Sequence, residues 1–61
     1  MTERERLIQE IRAGLSKLPT GADPFDPNGI ANDLAPYYSF RREEIRAIVI
    51  QEADAAGINH L

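Results

Sequence analysis

Sixty-one residues make one domain at most, and a domain this small buries only about 60% of the surface its unfolded chain exposes. Cysteine is absent, which excludes disulfide staples and Cys-based zinc sites, while 43% hydrophobic and 28% charged residues argue against intrinsic disorder. The net charge of −3 opposes nucleic-acid binding driven by total charge, though a local patch can outweigh the sum.

No apolar run approaches the roughly 18 residues of a membrane span. The start, MTERER, is mixed in charge and leads into an amphipathic pattern, unlike a signal peptide. The cytoplasm is the expected location.

The first expected helix covers about residues 3–18. Thr2 and Glu5 have the spacing of a capping box. Glu3 and Glu5 in the first turn and Lys17 in the last complement the helix dipole. Leu7, Ile8, Ile11, Leu15 and Leu18 fall on one face at helical spacing. Gly14 lies beside that stripe, where the missing side chain would let another helix come close. Pro19, Thr20 and Gly21 end the element, and residues 19–29 carry three prolines and two glycines, which reads as loop. Phe25 is the large apolar group expected to pin this loop to the helices.

Asp26-Pro27 reads as an N-cap followed by proline at the first helical position. The second helix is expected at about 27–35, with Ile30, Ala31, Leu34 and Ala35 facing inward. Pro36 disfavours helical geometry at Ala35 and should end it. Ser39 is the expected N-cap of a third helix at about 40–56. Its buried face is Ile45, Ile48, Val49, Ala53 and Ala56, with Ala47 and Ile50 well off it. Gly57 fits the left-handed position after that helix, and Ile58 the apolar contact of a Schellman motif. Asn59, His60 and Leu61 read as a frayed tail. The fold expected is all-α: a small domain of three helices, long–short–long.

Chemistry-bearing patterns are sparse. Asp26, Asn28 and Gly29 match part of an EF-hand loop, but Pro24 and Ala35 stand where the first ligand and the bidentate carboxylate belong, so no calcium site is expected. His60 is the lone histidine and reads as a solvated tail residue, leaving no transition-metal set. Ser16 and Ser39 have no base near in sequence, no phosphate-cradling glycine motif occurs, and a chain this small has little room for a pocket of about 300 Å3. No cofactor and no enzymatic activity are expected.

Glu52 projects into the apolar arc of the third helix. If buried it must pair, with Arg12, Arg4 or a tyrosine hydroxyl; otherwise the helix is rotated so that Glu52 sits at the rim and Ile50 is better covered. Six of the seven basic residues are arginine, the side chain suited to bidentate anion recognition. Arg41 and Arg42 open the third helix and Arg46 lies one turn on. Either they pair with nearby acids on a solvated face or they bind a partner.

Residues 28–50 resemble a helix-turn-helix in outline, with Ile30-Ala31 and Leu34 as the first helix's apolar pattern. The resemblance implies base contacts from Arg41, Arg42 and Arg46. It departs from the motif at Ala35-Pro36, where the turn glycine usually stands, and Glu43 and Glu44 beside the arginines would repel phosphate. Tyr37 and Tyr38 are either core caps or interface anchors. The reading that best fits small size, acidity and missing chemistry is a non-enzymatic helical module. It would bind another protein or itself through Tyr37, Tyr38, Arg41, Arg42, Arg46 and Ile50. A homodimer across the Ile50 face would enlarge a marginal core. The alternative is a DNA-binding protein that uses the start of helix 3.

Overall fold

The computed structural model describes residues 2–18 and 24–61. They form an all-α fold of three helices: α1, Glu3–Ser16; α2, Pro27–Leu34; and α3, Arg42–Ala55. A single 3-10 turn, Ala35–Tyr37, follows α2 directly. The expected terminators Pro19, Thr20 and Gly21 lie outside the described residues.

α1 starts where its cap dictates. The Thr2 hydroxyl oxygen accepts from the Glu5 N–H at 3.2 Å, which satisfies one of the N–H groups that a helix start leaves without a partner. Leu7, Ile11 and Leu15 are buried, with Ile8 and Leu18 packed against them. The helix closes at Ser16, so Lys17 becomes the C-cap and is not in the last turn. A Cβ placed on Gly14 would meet no heavy atom within 4 Å. Among the described residues no other helix comes close there, so the approach that Gly14 would allow is not used.

α2 is capped by Asp26, whose Oδ1 accepts from the Asn28 N–H at 2.9 Å, with Pro27 in the first turn. Proline at Pro36 does not force Ala35 out of helical geometry (φ −51°, ψ −40°). It converts the α-helix to the tighter 3-10 turn. Ser39 is not the cap of α3. Its N–H donates to Glu3 Oε1 at 2.6 Å and its hydroxyl to Oε2 at 3.2 Å, so the α1 carboxylate has taken both groups. α3 begins two residues later than expected, with Arg41 at the N-cap position and no side-chain cap.

α3 packs against both α1 and α2 and is the element they share. Ile45, Ile48, Val49 and Ala53 join Leu7, Ile11, Leu15 and Ala31 in one core. Ala56, expected in that face, is exposed. Phe40 packs on the core edge, an apolar residue that helical spacing did not single out.

The end of α3 is a full Schellman motif. Gly57 has φ +72°. Its N–H donates to the Asp54 carbonyl at 3.1 Å, and the Ile58 N–H donates to the Ala53 carbonyl at 2.8 Å. The frayed tail is not observed: residues 59–61 lie alongside Phe25. Phe25 N–H donates to the Asn59 carbonyl at 3.4 Å, and Leu61 N–H donates to the Phe25 carbonyl at 2.9 Å. Phe25 also packs on the core, as expected of it.

Candidate functional site

Helical geometry divides α3 into three strips. At about 100° per residue, the buried strip of Ile45, Ile48, Val49 and Ala53 has Ile48 and Glu52 on one side. Arg42 and Arg46 lie on the other. The strip opposite the core carries Glu43, Ala47 and Asp54, all exposed.

The Glu52 side falls toward α1. Glu52 Oε1 stands 3.2 Å from Arg12 Nη2, with the carboxylate side chain 15% exposed and the arginine 67%. Glu52 is thus a shielded acid at the core's rim and not a fully buried one. Arg12 bridges it from the neighbouring helix, as an acid in that position requires. The pair encloses the lower end of the α1–α3 interface, beside Leu15 and Ile58.

The other side falls toward α2. Arg42 and Arg46 line an open groove of about 420 Å3 with Asn28 and Asn32 of α2 and Glu43 at one edge. Arg42 Nη1 donates to Asn32 Oδ1 at 3.1 Å, which fixes the direction of the guanidinium and leaves its other N–H groups free to donate outward. Arg46 is half-buried. Among the described residues, ion pairs within 4.0 Å are Arg12–Glu52 and His60–Asp54, and neither involves Arg41, Arg42 or Arg46. The pairing of these arginines with acids one turn away, one of the two outcomes the sequence allowed, is not formed.

The remaining candidates separate. Tyr37 is 79% exposed, while Tyr38 is half-buried against the core. Both line a second open depression of about 520 Å3, against Glu3, Arg6 and Glu10 of α1. Both depressions exceed 300 Å3 because they are open surface hollows between helices, not enclosed cavities. Arg41 is exposed and lies outside the groove lined by Arg42 and Arg46. Ile50 is half-buried, so the broad apolar face expected there is partly covered. The six candidates therefore do not form one surface: Arg42 and Arg46 share a groove, and Tyr37 and Tyr38 share another.

Two features escaped sequence reasoning. Asn28 and Asn32 sit four residues apart on α2, a spacing that places both amides on one flank. That signal was available. The environment of His60 was not. It lies 35 positions from Phe25, yet the two rings meet edge to face with centroids 6.4 Å apart. Its Nε2 is 3.0 Å from Asp54 Oδ1 and its Nδ1 3.0 Å from the Leu61 main-chain oxygen. The side chain is 22% exposed, so the expected solvated tail histidine is instead packed. Its pKa is raised above 6.5, first by the Leu61 oxygen and then by Asp54, which together outweigh desolvation and the positive charge of Arg46.

Among the described residues, no group of three or more His, Cys, Asp or Glu side chains is placed to hold a metal, and no helix is long and apolar enough to cross a membrane. Compared with models of known families, with characterised proteins and with solved structures, the chain matches none.

Proposed function

We propose that this protein is a small non-enzymatic helical module that binds another protein, gripping an acidic side chain of its partner in the groove between α2 and α3. The observation that supports this is the pair Arg42 and Arg46, which line one groove with no carboxylate in ion-pair range among the described residues. Arg46 is half-buried while Arg42 is exposed, and a guanidinium gains most from an anionic acceptor. Asn28 and Asn32 add amide donors and acceptors suited to a peptide group beside that acid. Glu43 at the edge favours a single carboxylate over a continuous run of negative charge.

Arg41, Arg42 and Arg46 also keep a helix-turn-helix DNA binder in view, but two observations favour a protein partner. The strip of α3 that would enter a major groove presents Glu43 and Asp54, whose carboxylates would face the phosphates. The connection from Leu34 to Arg42 spans residues 35–41 and includes a 3-10 turn, longer than the roughly 3–4 residue turn of that motif. Self-association across Ile50 is the less favoured version, because a half-buried Ile50 offers little apolar area to a second copy. A homodimer would make the melting temperature rise with protein concentration; a concentration-independent value is expected.

The test is an NMR titration of 15N-labelled protein with a short peptide carrying a single central glutamate. Shifts should centre on Asn28, Asn32, Arg42 and Arg46. In the double variant R42Q/R46Q the affinity should fall at least about tenfold, given the strength of charge-assisted hydrogen bonds. Duplex DNA in the same low-salt buffer should leave those signals in place. Equal or stronger perturbation by DNA would transfer the groove to the nucleic-acid reading, and a silent groove with both probes would remove it as a site.

A further inference from the structure

We propose that the C-terminal segment Ile58–Leu61 is a proton-operated clasp: the His60 imidazolium locks the tail onto Asp54 and onto the Phe25 segment that leads into α2. Both ring nitrogens of His60 face oxygen acceptors at 3.0 Å, Nε2 toward Asp54 and Nδ1 toward Leu61. A neutral imidazole carries one N–H and can satisfy only one of them; the second nitrogen would turn its lone pair toward an oxygen. The cation donates to both. The charged groups acting on the ring come from α3, Asp54 attracting and Arg46 repelling. The facing group from the loop is the uncharged Phe25 ring.

The clasp holds more than itself. Phe25 is bonded to the tail on both sides, through Asn59 and Leu61. One residue later Asp26 caps α2 through the Asn28 N–H, and Asn28 is part of the groove wall. Closure of the tail therefore fixes the entry to α2. Deprotonation removes one of two hydrogen bonds and the charge on the other, so the tail and the Phe25 segment loosen together. Because the folded-state pKa lies above the unfolded value near 6.5, the contribution is complete below about pH 6.5. It is lost as pH rises through the folded pKa.

A pH titration of the 15N-labelled protein alone, with no partner added, tests this independently of what the groove binds. The His60 ring should titrate with a midpoint above 6.5, and the Phe25, Asn28 and Leu61 amides should shift with that same midpoint. D54N should lower the midpoint. H60Q, which keeps a donor but cannot titrate, should leave the fold intact by circular dichroism and abolish the coordinated shift. A midpoint at or below 6.5, or Phe25 and Leu61 amides that ignore the His60 titration, would overturn the clasp.

Discussion

The two flanks of α3 treat charge in opposite ways. On the α1 side Glu52 and Arg12 neutralise each other over the rim of the core. On the α2 side Arg42 and Arg46 share a groove with two asparagines, and among the described residues no carboxylate lies within 4.0 Å of either. An ion pair made inside the chain serves the fold, because breaking it leaves a shielded carboxylate without a partner. The neutral amide of Asn32 orients the Arg42 guanidinium without cancelling its charge, and the two guanidiniums gain nothing from each other. The same helix thus has one flank whose charges are paired within the chain and one that, on the function proposed above, a partner would complete.

Variants that break this contrast rank by expected size. Ile11→Ala cuts into the fully buried α1–α3 contact and should cost about 2–5 kcal/mol. A 61-residue chain has about 3–9 kcal/mol in total, so urea denaturation should find much of this variant unfolded. Gly57→Ala puts a side chain at φ +72° and should cost about 1–2 kcal/mol. A neutral result would mean the Schellman turn is not kept in solution. Arg12→Gln should cost up to about 1 kcal/mol, since the arginine end of the pair is largely in water. Gly14→Ala should instead stabilise by about 0.5–1 kcal/mol, because no described neighbour outside α1's own backbone lies within 4 Å of the added methyl. A loss there would mean that α1 has a neighbour on that side in solution.

Much of the fold was legible because its signals are local. The caps at Thr2 and Asp26, the proline at Pro27 and the Gly57-Ile58 stop each act within a few residues and stand where their spacing puts them. Helical spacing likewise singled out Glu52 as an acid in the apolar arc or at its rim, and named Arg12 as one of the side chains able to reach it. Two of the misreadings involve partners far along the chain. Ser39 looked like a helix cap until the carboxylate of Glu3, 36 residues away, took its N–H and hydroxyl. His60 looked like tail until Phe25 and Asp54 folded against it. Periodicity carries no information about which loop a terminus will meet. The six candidate contact residues also had no way to be sorted from sequence, because sorting them needed the direction of each side chain around α3 and the position of α2 beside it.

The central claim is that the two flanks of α3 have separate tasks, and a crossed measurement on R12Q and R42Q/R46Q reads it directly. Each variant would be assayed for unfolding free energy in urea and for affinity toward the single-glutamate peptide. R12Q should lose stability and keep its affinity, while R42Q/R46Q should keep its stability within about 0.5 kcal/mol and lose its affinity. Equal losses of stability in both, or a peptide affinity that survives removal of Arg42 and Arg46, would contradict the account.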